Sequence, residues 1–350
     1  MKRALVTGGC GFIGSNLTHR LVKEGWQVDI VDDMSNGHLE LLEGLNMRVV
    51  LADLLSNFYE SGVARETSDV HVIQGDFAHP AVLSNIMSEM YDVVFHQAAI
   101  PRVLFSVENP GVTTDVNIGG TVRLLEACRG SVNRVVWASS SSVYGGADIL
   151  PTSEATTKNP KSPYAWQKSA IEDITSLFGE LYDLDIVCLR YFNVFGPGQY
   201  GDSPYSTAVS AWCHATKNGL TLRSDGDGSQ SRDMCYIDNA VDANILAATS
   251  DMKFYGKAYN DSCGDQTTNR EILEFFTNRF GHVMVRDAPW RPGDVMHTCA
   301  DISSISNDLG YEPTVRFWEG LERTLVWWGI GESDESKEAR KVSVDYKDHS

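Results

Sequence analysis

The sequence predicts a doubly wound α/β fold, in which helices cover both faces of a mostly parallel sheet, with a smaller α/β domain beside it. Short runs of β-branched residues alternate with helix-period segments through the first half of the 350 residues. The strand-like runs are continuously apolar, as strands covered on both faces must be. A glycine-rich turn separates the first strand from the first helix, at the place where such folds bind phosphates.

The predicted elements follow one another in a regular order. The first βαβ unit has strands at 5–6 and 28–31, and between them Ile13, Leu17 and Leu21 recur at helical spacing. Further strands are expected at 72–73, 93–95, 135–137 and 186–189, with apolar-striped helices at 122–125 and 170–181. The segment 34–70 is longer than a crossover needs, and we expect an extra helix or hairpin there.

Charge and composition exclude several classes of partner. The formal net charge is −18 and the pI is near 4.8, without a stripe rich in Lys and Arg, so we expect neither nucleic acid nor an anionic membrane as a partner. No apolar run approaches the ~20 residues of a membrane span, and a strand follows the start directly, which leaves no room for a signal peptide. The seven scattered cysteines form no CxxC pair, so we expect no metal site and a reducing, cytoplasmic location.

The turn after the first strand predicts a dinucleotide site. It reads TGGCGFIG, with Gly8, Gly11 and Gly14 three residues apart. Gly8 allows a tight turn, Gly11 lets a pyrophosphate approach the backbone, and Gly14 allows close packing of helix on strand. Phe12 and Ile13 open the helix, whose free amides face the phosphates. A glycine-rich turn without a ligand is the weaker alternative.

Acidic residues after the second and third strands extend this site. Asp32 ends the second strand, where a carboxylate accepts both ribose hydroxyls of the adenosine half and repels a 2′-phosphate. No arginine follows closely, so NAD is expected over NADP; Asp33 is the alternative ligand, and either aspartate could cap a turn. Asp76 and Phe77 follow the third strand and are expected near the adenine, although an Asp at this point is commonly a turn residue.

These patterns divide the chain. Residues 1–191 are expected to form a dinucleotide-binding Rossmann domain, joined by part of 233–262. The pattern loosens after about Phe192, and residues 192–330 are expected to form most of the substrate domain. Residues 331–350 are charged and lack apolar periodicity, so a mobile tail is predicted.

A tyrosine and a lysine predict the reaction centre. Tyr164 and Lys168 are four residues apart, which places both on one face of a helix. An ammonium and a positively charged nicotinamide would favour the ionised phenol, whose ordinary pKa is about 10. The strand that ends in ASSSSVYG supplies Ser140 and Ser141 at the edge facing the cofactor, where hydroxyls can hold a substrate oxygen. Glycine turn, serine strand and Tyr-x-x-x-Lys are specific together, although each is common alone.

With these motifs the chain resembles the extended short-chain dehydrogenases/reductases, and most closely their UDP-hexose 4-epimerases. The resemblance runs from about Lys2 to Trp328. It rests on TGGCGFIG, HQAA at 96–99, Asn117 in DVNIGGT, ASSSSVYG, YAWQK, LRYFNVFG, SRDMCYIDN and RPGD.

The resemblance implies a role for each matching residue. Tyr164 is the base, Lys168 holds the nicotinamide ribose, and Ser140, with Ser141 as a second candidate, bonds the oxygen at carbon 4 of the sugar. Residues expected at the cofactor also include Ala98 and Asn117. The UDP diphosphate would be held by Asn193, Arg232 and Arg291, with Asp294 on the uridine ribose. It also implies a homodimer.

Two departures from the family pattern bear on the substrate. Ile100-Pro101-Arg102 stands where related epimerases often carry a lysine. By the same resemblance, Thr298 stands where members restricted to plain hexoses carry a bulky tyrosine beside the substituent at carbon 2 of the sugar. A threonine leaves room there for an N-acetyl group. The sequence therefore favours interconversion of UDP-GlcNAc and UDP-GalNAc through a 4-keto intermediate and bound NAD, and UDP-glucose and UDP-galactose stay open as a further substrate pair.

Other functions stay open at this point. A 4,6-dehydratase would need an acid/base pair where Ser141 and Ser142 stand. A UDP-glucuronate 4-epimerase is harder to exclude because Arg102 or a backbone turn could partner the extra carboxylate, and a UDP-glucuronate decarboxylase begins with the same oxidation. A non-catalytic NAD-sensing scaffold is the alternative from another class, and intact Ser140, Tyr164 and Lys168 argue against it.

Overall fold

A parallel sheet of eight strands forms the centre of the structure, a computed structural model that describes residues 2–55, 68–88, 90–146, 148–202, 207–281, 283–290 and 295–331. Each pair of neighbours in this sheet is parallel. In spatial order the strands are β12 (Lys257–Asp261), β7 (Ile186–Tyr191), β6 (Arg134–Ser140), β5 (Val93–His96), β1 (Arg3–Thr7), β2 (Gln27–Asp32), β4 (Val70–Gln74) and β3 (Met47–Leu51). The predicted fold class is confirmed.

Helices cover both faces of the sheet, and we number those of the described chain in order. They are α1 (Phe12–Lys23), α2 (Pro80–Met87), α3 (Val103–Glu108), α4 (Pro110–Thr114), α5 (Thr121–Cys128), α6 (Pro163–Tyr182), α7 (Ala208–Lys217), α8 (Ile237–Thr249), α9 (Asn269–Phe280), α10 (Ser303–Leu309) and α11 (Phe317–Trp327). Helices α1 and α8 share one apolar core, which includes Leu17 and Val241. Helices α2, α5 and α6 share the core on the other face, which includes Leu124 and Ile171.

The order of the strands locates the binding crevice. On one side of β1 the chain adds β2, then the edge strand β3, and then β4 between these two. It next crosses to the other side of β1 and adds β5, β6 and β7 in that order. The carboxyl ends of β1 and β5 therefore flank the point where the winding changes direction, which is where open α/β sheets bind their ligands.

The described part of segment 34–70 forms an edge strand and no hairpin, while the alternative that we expected, an extra helix, stays a prediction for residues 56–67. Its described part has two single 3₁₀ turns, Leu39–Leu42 and Ala52–Leu54, on either side of β3. β3 pairs in parallel with β4, and a hairpin would require antiparallel pairing. The segment thus extends the sheet by one edge strand; its residues 56–67 lie outside the described chain.

Smaller elements follow the seventh strand of the main sheet. β8 (Asn193–Phe195) pairs in parallel with β11 (Met234–Tyr236), β9 (Leu222–Asp225) with β14 (Val285–Ala288), and β10 (Ser231–Arg232) pairs antiparallel with β13 (Thr267–Thr268). β12 returns to the edge of the large sheet. We infer from this return that 233–262 contributes to both proposed domains.

The remaining sequence predictions concern the membrane and the tail. Among the described residues, no helix combines the length and the apolar character that crossing a membrane requires. Of the predicted mobile tail, residues 332–350 lie outside the described chain.

Candidate active site

One large cleft of about 1620 Å³ opens at the carboxyl end of the sheet. It exceeds the roughly 300–1,000 Å³ typical of a site for one small ligand, so it has room for a cofactor and a substrate together. The predicted site residues that line it are Gly8, Gly11, Phe12, Ile13, Gly14, Asp32, Asp76, Phe77, Ala98, Ser140, Ser141, Tyr164, Lys168, Asn193, Arg232 and Thr298. Arg291 and Asp294 lie outside the described residues.

The glycine turn leaves space and free amides at the start of α1. Gly8 has φ +69°, a conformation that glycine adopts without the strain of a side chain. A Cβ at Gly11 would lie 3.2 Å from the Gly8 carbonyl oxygen, and one at Gly14 only 2.2 Å from it. No side chain caps α1, so its first amides remain available to a phosphate. This cradle fits the pyrophosphate of NAD.

Asp32 lies at the end of β2 beside this turn. Its carboxylate accepts hydrogen bonds from the backbone amides of Cys10 (3.0 Å) and Met34 (2.9 Å). Burial raises the pKa of Asp32 above its usual range, although these two amides oppose the shift. A carboxylate has about four acceptor positions, so ribose hydroxyls can still bind. Asp33 is exposed, and its side chain accepts from the amide of Ser35.

Asp76, Phe77 and Ala98, which are also predicted at the cofactor, make contacts with neighbouring parts of the protein. Asp76 accepts a hydrogen bond from the amide of Ala78 at 2.8 Å, which is the turn role that the sequence left open. The Phe77 ring lies 4.8 Å from the ring of His96 and is buried. The amide of Ala98 donates to Thr7 Oγ1 at 3.1 Å, which holds the loop after β5 against the glycine turn.

Asn117 lies outside the residues that line the cleft. Its Oδ1 accepts from the amide of Ile100 (2.8 Å), and its Nδ2 donates to the carbonyl of Ile100 (3.2 Å) and to Gln167 Oε1 (2.8 Å). Both donor hydrogens of the amide are thus used within the protein. The residue fastens the cleft-lining loop at Ile100, and its contact with NAD stays a prediction.

Helix α6 carries the tyrosine and lysine into the cleft. It begins after Ser162, whose hydroxyl accepts from the amide of Ala165 at 3.1 Å, and Pro163 occupies its first turn. Tyr164 and Lys168 are both buried on this helix. The ammonium of Lys168 donates to the carbonyl of Ala138 at 2.6 Å, two residues before Ser140 on β6. The helix and the serine strand therefore meet as the sequence predicts.

Burial sets the protonation of this pair. Desolvation raises the pKa of Tyr164 to about 12, although a hydrogen bond with Ser140 opposes the rise. Desolvation also lowers the pKa of Lys168 to about 7, opposed by Cys188 and Glu172. The protein's own groups thus leave the phenol protonated near neutrality. A positive charge beside Tyr164 lowers the pKa of the phenol, and a nicotinamide ring would supply one.

The serine segment presents linked hydroxyls at the end of β6. Ser140 Oγ accepts from the amide of Ser142 (3.2 Å) and from its hydroxyl (2.9 Å). Ser141 opens the 3₁₀ turn that follows, at Ser141–Tyr144. This arrangement fixes the Ser140 hydroxyl close to Tyr164, where it can bond a substrate oxygen.

Three predicted substrate residues come together across the cleft. Asn193 Nδ2 donates to Thr298 Oγ1 at 3.4 Å and to the carbonyl of Asp233 at 3.3 Å. Arg232 donates through Nη1 to the carbonyls of Ser231 (2.9 Å) and Met296 (3.1 Å). The backbone thereby orients the guanidinium, a planar group whose geometry suits a diphosphate.

Sequence reasoning missed Asp233, which organises this half of the site. Its carboxylate is fully buried and accepts from the amides of Cys263 (3.1 Å), Gly264 (3.1 Å) and Ala300 (2.8 Å). Its own amide donates to Thr298 Oγ1 at 3.1 Å. The signal was present, since this acidic residue directly precedes the apolar run Met234-Cys235-Tyr236, where an unpaired carboxylate would be costly.

Comparison with known proteins agrees with this geometry. The family model described as the NAD dependent epimerase/dehydratase family matches residues 4–260. A UDP-glucose 4-epimerase of Mycolicibacterium smegmatis is 35% identical over 93% of this chain and 98% of its own. A UDP-glucuronate 4-epimerase of Thermodesulfobacterium geofontis is 31% identical over 92% of this chain and 95% of its own.

A solved structure of similar fold extends the comparison. The UDP-N-acetylglucosamine 4-epimerase from Methanobrevibacter ruminantium M1, in complex with UDP-N-acetylmuramic acid, superimposes with a TM-score of 0.82 at 34% identity. The match covers 93% of this chain and 98% of that one.

Proposed function

The chain belongs to the NAD dependent epimerase/dehydratase family, and from that premise we propose that it is a UDP-sugar 4-epimerase acting on UDP-GlcNAc and UDP-GalNAc. The observation that carries the proposal is the meeting of the Tyr164–Lys168 pair with the Ser140 hydroxyl in a cleft large enough for two ligands. The relatives that cover nearly the whole chain include epimerases of UDP-glucose and UDP-N-acetylglucosamine. Epimerisation at carbon 4 is therefore the common chemistry.

The residues of the glycine turn and Asp32 would hold NAD. The chemistry that NAD would supply there is the acceptance of a hydride from carbon 4 of the sugar and its later return. Tyr164 takes the proton of the 4-hydroxyl and later gives it back. Ser140 orients the oxygen at carbon 4, and Lys168 stabilises the ionised phenol. Arg232 and Asn193 hold the diphosphate while the 4-keto sugar turns to present its other face. A firm hold on UDP and a loose hold on the sugar suit this step.

Thr298 supports the acetylated substrate. It is half-buried in the cleft and contacts Asn193, so the diphosphate and the substituent at carbon 2 would be read by neighbouring side chains. The small side chain of Thr298 leaves space beside it in the cleft for the N-acetyl group. UDP-glucuronate is the second candidate, because Arg102 lines the same cleft and a guanidinium can pair with a carboxylate.

Proton NMR tests the proposal. The purified protein is incubated, without added cofactor, with UDP-GlcNAc, UDP-glucose and UDP-glucuronate in separate samples. We expect the anomeric signal of the galacto epimer, formed fastest from UDP-GlcNAc. Faster turnover of UDP-glucuronate would transfer the assignment to the second candidate. If no sugar changes even after NAD is added, the epimerase proposal fails.

A homodimer is the expected assembly, and exposed apolar side chains support it. Helix α3 exposes Val103, Leu104 and Val107, and helix α6 exposes Leu177 and Leu181. The two helices pack against each other, so these side chains belong to neighbouring surfaces that a second copy could cover. Light scattering of the purified protein tests this: a monomer at micromolar concentration would contradict it.

A further inference from the structure

A buried carboxylate on α6 has no part in the proton transfer described above. Tyr164, Lys168 and Glu172 are spaced by four residues, so their side chains follow one another along one face of the helix. All three are buried, Glu172 with 4% of its surface exposed. Burying a carboxylate is costly unless it is well paired. The contacts of Glu172 therefore need an explanation.

Glu172 joins three elements of the active site. Its Oε1 accepts from Ser139 Oγ at 2.6 Å and from Arg190 Nε at 2.8 Å, and its Oε2 accepts from Arg190 Nη2 at 2.7 Å. Lys158 Nζ lies 3.5 Å from Oε2. Ser139 on β6 directly precedes Ser140, and Arg190 lies on β7. One carboxylate thus fastens the serine strand to the helix that carries Tyr164.

Glu172 is also the charged neighbour of Lys168. The other titratable groups that face the ammonium are Tyr164 on its own helix, Cys188 on β7 and His96 on β5. Burial raises the pKa of the Cys188 thiol to about 12 and lowers the pKa of His96 to about 3, so both are neutral near pH 7. Among the described groups around Lys168, Glu172 therefore supplies the negative charge that favours the ammonium.

Two positive charges also pair with Glu172. Arg190 donates a further hydrogen bond from Nη1 to the hydroxyl of Tyr144 at 2.7 Å, and Lys158 also pairs with Asp173 at 2.5 Å. Tyr144 in turn donates to Asn260 Oδ1 at 2.6 Å. These bonds fix the arginine in place against the Glu172 carboxylate.

We propose that Glu172 is a positioning residue for proton transfer at Tyr164. Its carboxylate holds the serine strand against α6, so that Ser140 and Tyr164 keep their spacing. It also keeps the ammonium of Lys168 charged beside the phenol. The kinetic consequence rests on the proposed function, whereas the charge on Lys168 can be measured without any substrate.

The direct test is the titration of Lys168 by NMR in protein carrying isotope-labelled lysine, as purified, with Lys168→Met to assign its signal. In Glu172→Gln we expect the titration midpoint of Lys168 to fall by roughly one pH unit, the low end of the effect of a nearby opposite charge. Asp173→Asn is the matched control, because Asp173 is adjacent on α6 with a side chain 70% exposed. We expect no shift there. An unshifted midpoint in folded Glu172→Gln would overturn the proposal.

Kinetics provide the second test. Since Lys168 must stay charged, the alkaline fall of kcat/KM should move to lower pH in Glu172→Gln, by the same roughly one unit. If the unaltered enzyme turns over no nucleotide sugar, the proposed function fails, but the NMR titration still decides the role of Glu172.

Glu172→Gln could fail to fold, because a buried ion pair that loses one partner is strongly destabilised. In that case Ser139→Ala tests the positioning role of Glu172. This variant removes the 2.6 Å bond to Glu172 and leaves the pair with Arg190 intact. We expect kcat to fall about tenfold through misplacement of Ser140, with KM nearly unchanged. An unchanged kcat would overturn the positioning role.

Discussion

The two halves of the cleft are built by different means. In the cofactor half, the site residues stand at the ends of neighbouring parallel strands. Their polar groups bond to backbone that is near in sequence or that follows the adjacent strand, as Asp32 does with the amides of Met34 and Cys10. In the substrate half, Asn193 and Thr298 come from distant segments and bond to the backbone of Asp233, whose buried carboxylate fastens further segments through their amides. The first half is set by local sequence, and the second depends on long-range contacts.

The largest expected effect concerns the border between the halves. Tyr164→Phe removes the proton acceptor but neither binding surface, so turnover should fall by about 10³-fold or more while binding of UDP and NAD stays the same. Steady-state kinetics and calorimetry measure the two properties separately. Tyr200→Phe, also in the cleft, is the control and should keep its turnover. Normal turnover of Tyr164→Phe would remove Tyr164 as the base.

A change at Asp233 should break the substrate half. Asp233→Ala leaves three buried amides without their acceptor, and we expect it to lower the free energy of unfolding by about 3 kcal/mol. UDP binding should weaken more than NAD binding, because only this half is held together by the carboxylate. Chemical denaturation and calorimetry check this.

Asp265→Ala provides the comparison for Asp233. Asp265 is exposed and its side chain accepts from the adjacent amide of Gln266, so loss of the carboxylate should change the free energy of unfolding by less than about 0.5 kcal/mol. Equal effects of the two substitutions would show that the buried carboxylate has no special role.

Gly11→Ala should affect the cofactor half without unfolding it. The new Cβ would lie 3.2 Å from the Gly8 carbonyl oxygen, a tight contact that small shifts relieve, yet it would fill the cradle that faces the phosphates. We expect NAD affinity to fall about tenfold or more, with little change in thermal stability. In Gly111→Ala, where nothing lies within 4 Å, NAD affinity should not change. Unchanged affinity in Gly11→Ala would place the pyrophosphate elsewhere.

The smallest expected effect is on the choice of sugar. Thr298→Tyr should reduce kcat/KM for UDP-GlcNAc about tenfold relative to UDP-glucose, because the ring would occupy the space for the acetyl group. Thr298→Val serves as the control, since it loses the hydrogen bond from Asp233 but keeps the size of the side chain. If Thr298→Val changes the ratio as much as Thr298→Tyr, the bond and not the space sets the preference.

The same contrast explains what the sequence could predict. The strand–turn–helix order, the glycine turn and the helical spacing of Tyr164 and Lys168 are local patterns, and the structure places them together as expected. A motif cannot tell whether an amide such as that of Asn117 faces a ligand or fastens a loop, and the structure shows the contact with the loop. Asp233 and Glu172 were missed since their partners lie up to about seventy residues away. The edge strand β3 was missed because its apolar run, Val49-Val50-Leu51, is too short to distinguish a strand from part of a helix.

The central claim is that one cleft removes and returns the same hydrogen at carbon 4 while the sugar turns. UDP-GlcNAc deuterated at carbon 4, incubated with the purified protein and no added cofactor, tests it most directly by NMR and mass spectrometry of the product. The account predicts UDP-GalNAc that keeps its deuterium at carbon 4. Loss of the label to water in the product would contradict it.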